Sequence, residues 1–209
     1  MQLHNLKKYF MQSGLSFTFN AGFSIEQKQI SILRTRTYVD LWKDSYENNW
    51  YNFKLDDQSM FQFSDTNYHF IQCPLDIVSQ GEFKRSLDPA LRVPGLLEEA
   101  YENEISTSAI KNHFTPIRMD LDYGSYKEGR HPAAHIHFGL DNEVRVGLKR
   151  LMTPESFVLF IIRQAYPDAW TKLLDSSLGS KIEKKIRNSL IEVDDNYWNP
   201  KDNRELYLN

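Results

Sequence analysis

Three stretches share one pattern: Ile117-Arg118-Met119-Asp120-Leu121-Asp122, Ala133-Ala134-His135-Ile136-His137-Phe138-Gly139 and Glu143-Val144-Arg145-Val146-Gly147-Leu148-Lys149. Apolar residues occupy every second position. Ile117, Met119 and Leu121 alternate with Arg118, Asp120 and Asp122; Ala134, Ile136 and Phe138 with Ala133, His135 and His137; Val144, Val146 and Leu148 with Glu143, Arg145, Gly147 and Lys149. Strand side chains change face at each residue, so each stretch predicts a strand with one apolar and one polar or ionisable face. The short turn Leu140-Asp141-Asn142 makes the second and third strands a hairpin and sets their charged faces on one side. With the first strand alongside, Arg118, Asp120, Asp122, His135, His137, Glu143, Arg145 and Lys149 share one polar surface, and C-terminal helices cover the other side.

Outward from these strands the signals mix. Leu3, Leu6 and Phe10 have helical spacing over residues 3–13, with Gly14 as a stop. Alternation over residues 17–33, broken by Asn20-Ala21-Gly22, predicts short antiparallel strands. Residues 34–50 fit neither period. Trp50 to Phe63 reads as a hairpin across Asp56-Asp57-Gln58, and Tyr68 to Leu75 as a strand ended by Pro74. The polar, proline-bearing stretch 79–94 predicts a long loop and is where a sub-domain boundary would fall. Pro94 then opens a helix with Leu96, Leu97, Ala100 and Tyr101 on one side. Thr153-Pro154-Glu155 reads as a cap before a helix with Phe157, Phe160 and Ile161 in the core. Ser180-Lys181-Ile182-Glu183 reads as a capping box leading into Ile186 and Leu190. The sum is an α+β fold, an antiparallel sheet with helices packed on one face and a helical C-terminal quarter, in a single domain over 1–209.

Composition excludes several classes. With 41% hydrophobic and 13% aromatic residues the chain has the bulk for a core, which excludes general disorder. A net charge of −3 gives no global basic field, so a nucleic-acid contact needs a local patch. One cysteine, Cys73, excludes a disulfide framework; beside Phe70, Ile71, Pro74 and Leu75 it reads as a buried, inert thiol. The longest apolar run, Phe157 to Ile162, is far short of the ~20 residues of a membrane span. No apolar leader follows Met1, and the expected location is the cytoplasm, away from membranes.

The histidine pair carries the chemistry. A sheet face in water accounts for Glu143, Lys149 and Asp122, but less well for two imidazoles two residues apart on one strand. Three uses compete. Imidazoles about 6–7 Å apart suit two ligands of one transition metal, with Asp120, Asp122 or His131 as a third. Alternatively His135 and His137 are general base and acid at a phosphodiester, with Arg118, Arg145 or Lys149 on the phosphoryl oxygens and Asp120 orienting a ring, which needs no cofactor. Or the same groups hold an anion or a partner chain without reaction. His4, His69 and His113 read as structural, and Trp42, Trp50 and Trp198 as exposed anchors for a protein partner.

The run Arg118-x-Asp120, His131-Pro132-x-x-His135-x-His137-Phe138-Gly139, Arg145, Thr153-Pro154-x-x-Phe157 and Tyr166-Pro167-x-x-Trp170 resembles an uncharacterised bacterial domain-of-unknown-function family. The resemblance covers residues 117–170 and implies a setting among mobile-element and phage-defence genes, with a protein partner from the same gene cluster. The Arg-x-Asp and His-x-His pattern is also similar to that of small predicted toxin nucleases, which implies an RNA or DNA substrate and catalytic roles for Arg118, Asp120, His135, His137 and Arg145. Those toxins are short, and the N-terminal half here has no counterpart in them.

Overall fold

The computed structural model describes residues 2–25, 29, 35–139, 144–204 and 207–208. Its frame is one sheet. Strands β1 (Phe17–Phe19), β2 (Phe53–Leu55), β3 (Met60–Phe63), β4 (Asn67–Ile71), β5 (Ile117–Leu121), β6 (Ala134–Phe138) and β7 (Arg145–Leu148) lie side by side in chain order, each antiparallel to its neighbours. A short pair, β8 (Arg150–Leu151) with β9 (Ile191–Glu192), stands apart, and β10 (Tyr207–Leu208) adds a parallel edge beside β7.

Helices α1 (Lys7–Ser13), α2 (Tyr38–Glu47), α3 (Gln80–Ser86), α4 (Leu96–Thr107), α5 (Pro154–Ala165), α6 (Pro167–Asp175) and α7 (Gly179–Ser189) complete the α+β architecture. The front face of the sheet is apolar. Phe53, Phe61, Phe63, Tyr68, Phe70, Ile117, Met119, Ile136 and Leu148 pack there against Tyr9 and Phe10 of α1 and Phe157, Ile161 and Leu173 of α5 and α6. Thr153 caps α5 through its hydroxyl, which accepts from Ser156 N, and Pro154 fills the first helical position. The back face over β3 and β4 carries a second apolar cluster: Met60 and Ile71 meet Trp42 of α2 and Tyr101 and Ile105 of α4.

Several expectations change. Residues 38–47, without a clear period in sequence, form α2, capped by Thr37. Within 79–94 the Ser79–Glu82 capping box starts α3, so the stretch is not a plain loop. Glycine 95, at φ 90, caps α4, and Leu96 on that helix is exposed rather than packed. Strand β4 ends at Ile71, ahead of Pro74. Helix α7 starts at Gly179 with no side-chain cap, so Ser180 is inside it and makes no capping box. Phe160 is half-buried at the core's edge, its ring 6.3 Å from that of Phe138, while Phe157 and Ile161 are fully enclosed. Trp42 is enclosed too, its Nε1 donating to Gln58 O, and is no anchor for a partner. Trp50 and Trp198 are half-buried. Residues 23–25 are outside any strand, and the expected pairing of Ile30 and Ile32, the 140–142 turn and Glu143 lie outside the described residues. Among the described residues no helix is long and apolar enough to cross a membrane.

Candidate functional site

The back face of β5 to β7 is built from the residues that the alternation selects. Register fixes the array: Arg118 stands opposite His137, Asp120 opposite His135, and His137 opposite Arg145. The row extends beyond what sequence suggested. His69 pairs with Arg118 and Gln62 with His69, so Gln62, His69, Arg118, His137 and Arg145 cross five strands on one face. In the next row Asn67 pairs with Asp120, and His135 with Gly147. His69 is therefore part of the site's wall and not an isolated structural histidine. The alternation of Asn67 and His69 with Tyr68 and Phe70 gives their face, and the pairing of β4 with β5 brings that face to the site.

This face is not wet. His135 is 2% exposed, His137 4% and Asp120 9%. The rest of the predicted polar surface separates from them. Asp122 lies past the end of β5, exposed, with Oδ1 accepting from Ser125 N. Lys149 lies between β7 and β8. Cover comes from the loop 122–133 and the C-terminal segment: Pro132 and Trp198 approach Gly147, where an added Cβ would come within 3.1 Å of Pro132 Cγ and 3.7 Å of Trp198 Cη2. Asp202 ties the two covers together, its Oδ1 accepting from Gly129 N and its Oδ2 from the Tyr126 hydroxyl.

Asp120 is the hub. Its Oδ1 accepts from Asn67 Nδ2 at 2.6 Å and its Oδ2 from Arg118 Nε at 2.7 Å. The same Oδ2 lies 3.5 Å from His137 Nε2 and 3.8 Å from His135 Nε2, beyond hydrogen-bonding distance. The His135 Nδ1 faces Pro132 O at 2.9 Å; a carbonyl can only accept, so Nδ1 carries the hydrogen and Nε2 the lone pair in the neutral ring. The two rings are 4.7 Å apart between centroids, closer than the spacing along a flat strand suggests, and His131 sits edge-on to His135 at 5.0 Å.

Three buried polar atoms around the hub have no hydrogen-bond partner among the described residues: His137 Nδ1, His131 Nδ1 and Arg145 Nε. Burial, reinforced by Arg118, pushes His137 down to about 4, and burial also lowers His135. Burial and then Arg118 bring His69 to about 4. At neutral pH His69, His135 and His137 are thus held neutral, beside the Asp120, Arg118 and Arg145 side chains. Such a set offers nitrogen lone pairs and fixed positive charge; a proton for a leaving group would have to come from another source. Cys73 is buried outside this site, its thiol pushed up to about 11 by burial, as an inert cysteine should be.

Residues 11–199 match the family described as uncharacterized conserved protein (DUF2290), and the chain belongs to that family. No curated protein and no solved structure matches it.

Proposed function

We propose that this chain cleaves phosphodiesters of nucleic acid, RNA in the first place, as a component of a phage-defence or toxin–antitoxin-type system. The observation that carries the reading is the convergence of Arg118, Asp120, His135, His137 and Arg145 on one covered face. A sheet that needed only to be closed would place apolar groups there, as it does over Met60 and Ile71. Arginine supplies forked donors that match phosphoryl oxygens, and Arg145 Nε has no acceptor among the described residues. His135, with Nδ1 held by Pro132 O, presents Nε2 to accept a proton from an attacking hydroxyl. Asp120 fixes Arg118 and faces both rings, which keeps the set in place. RNA carries its own nucleophile in the 2′-hydroxyl, so it demands least of such a site.

The test is cleavage of end-labelled single-stranded RNA and DNA by the purified chain. His135→Ala and Arg145→Ala should each slow cleavage about 100-fold or more. Their melting temperatures should stay close to the parent's. A parent chain that cleaves neither polymer, or a His135→Ala chain as fast as the parent, would overturn the reading.

A second reading, a non-catalytic subunit that binds a partner from the same gene cluster, draws on Val78, Leu91, Val93 and Leu96, exposed apolar side chains within one stretch of chain. Leu91→Ser with Val93→Ser should then abolish protection in a phage-challenge assay, while His135→Ala leaves it intact.

A further inference from the structure

The distances from Asp120 to the two imidazoles suit a shared cation better than hydrogen bonds. We infer that Asp120, His135 and His137 bind one divalent first-row transition-metal ion, through Asp120 Oδ2 and Nε2 of the two histidines. One donor atom from each of the three residues can be chosen so that all lie within 4.8 Å of one another. The two Nε2 atoms stand 3.5 and 3.8 Å from the carboxylate oxygen. Bonds of about 2.0–2.2 Å to a tetrahedral ion place ligand atoms roughly 3.3–3.6 Å apart, the range in which His137 Nε2 already stands from Asp120 Oδ2.

The surroundings hold the donors as a metal site requires. Pro132 O takes the His135 Nδ1 hydrogen, which fixes ring orientation and leaves Nε2 free for a metal. Asn67 and Arg118 each hold one oxygen of Asp120, and each oxygen keeps a lone pair. His137 is 4% exposed, and its Nε2 is left 3.5 Å from Asp120 Oδ2, too far for a good hydrogen bond and near enough to share an ion with it. Two imidazoles with one carboxylate favour zinc, cobalt, nickel or iron over magnesium and calcium, which take oxygen. Arg118 opposes a cation. The single carboxylate offsets it, and an anion on the open side of the ion would complete the balance beside Arg145. The inference does not rest on the phosphodiester reading: an ion on His135 Nε2 takes the lone pair which that reading uses as a base, so the two exclude each other at that nitrogen.

The experiment uses the full chain, stripped with EDTA and dialysed into metal-free buffer. Titration with Co2+ should develop the visible bands of a low-symmetry site, and calorimetric titration with Zn2+ should saturate at one ion per chain. His137→Gln and Asp120→Asn should each weaken Zn2+ binding at least about 100-fold, given that even outer partners of a ligand are worth 10–100-fold. His113→Ala, at an exposed residue in the segment before β5, should bind as the parent does. Circular dichroism identifies any variant that fails to fold, and the second ligand variant then decides. Absence of Co2+ bands, sub-stoichiometric Zn2+, or equal weakening by His113→Ala would overturn the site. The same samples separate the two readings. Binding of Zn2+ without cleavage of RNA or DNA sustains the site and removes the nuclease; undiminished cleavage by the stripped chain, with no Zn2+ bound, does the reverse.

Discussion

The back of the sheet is covered in two ways. Over β3 and β4, helices α2 and α4 bring Trp42, Tyr101 and Ile105 onto Met60 and Ile71, and the polar exception, Gln62, donates to Trp50 O at 2.6 Å. Over β5 to β7 the cover is a loop and the C-terminal segment, and beneath it lie two histidines, an aspartate and the stems of two arginines. Both regions are buried, yet among the described residues the first leaves one buried polar atom of the sheet face unpartnered, Gln62 Oε1, and the second leaves three. Apolar burial stabilises in proportion to area, at about 25 cal/mol per Å2, whereas buried polar groups without partners cost stability. The first region is what closing a fold requires; the second carries polar groups that closure alone does not call for, and the proposals rest on it.

The sharpest way to break this contrast is to truncate one residue in each region. Trp42→Ala removes a fully enclosed ring and should cost about 3–5 kcal/mol in urea unfolding. His137→Gln, which keeps a polar side chain of similar reach, should cost less than about 1.5 kcal/mol. Equal losses would mean that the histidine is packing material, and the division into scaffold and site would fall.

Acid should find the polar region first. A neutral histidine whose folded value is about 4, against about 6.5 in the unfolded chain, binds fewer protons when folded anywhere between those values. Stability is then fully present above about pH 6.5 and is lost as pH falls through 4. His69 acts in the same sense and the same window. Urea midpoints measured in EDTA from pH 7.5 to 4 should fall for the parent, and less steeply for His137→Gln. Parallel curves would show that His137 is hydrated and charged in the folded protein.

On the front face the same reasoning grades two phenylalanines of one helix. Phe157 is enclosed and should cost about 3–5 kcal/mol as alanine, while half-buried Phe160 should cost about 1–2 kcal/mol. Sequence periodicity could not separate them, because both fall on the apolar side of α5; the difference comes from where β6 ends. The same limit explains what else was legible. Alternation identified β5, β6 and β7 and their shared polar face, since period two is a local signal. It did not show that the face is covered, because the cover comes from residues 122–133 and the chain's last segment, held together by Asp202. Helix α2 turns Tyr38, Leu41, Trp42 and Tyr46 toward the second cluster, but only Trp42 of these is fully enclosed, and the stripe is too short and too polar in its surroundings to stand out in sequence. Conversely the Ser79–Glu82 box was readable, but the prolines nearby outweighed it. His69 needed the β4–β5 pairing, which no local pattern supplies.

The smallest expected effect tests how the two covers hold the site. Gly147 has ordinary strand backbone, so alanine there should gain about 0.5–1 kcal/mol from backbone entropy alone. Its Cβ would come within 3.1 Å of Pro132 Cγ, a contact that makes Pro132 give by a few tenths of an ångström. The Pro132 carbonyl is what orients His135, so movement there is passed to the imidazole whose Nε2 the site uses. Gly147→Ala should therefore leave the melting temperature within a few degrees of the parent, yet weaken Zn2+ binding several-fold, with a shifted His135 Nδ1–H resonance. Were the variant more stable with that resonance unmoved, Pro132 would be only a lid, and the tautomer of His135 would have to be set by its other neighbours, His131 and Arg145.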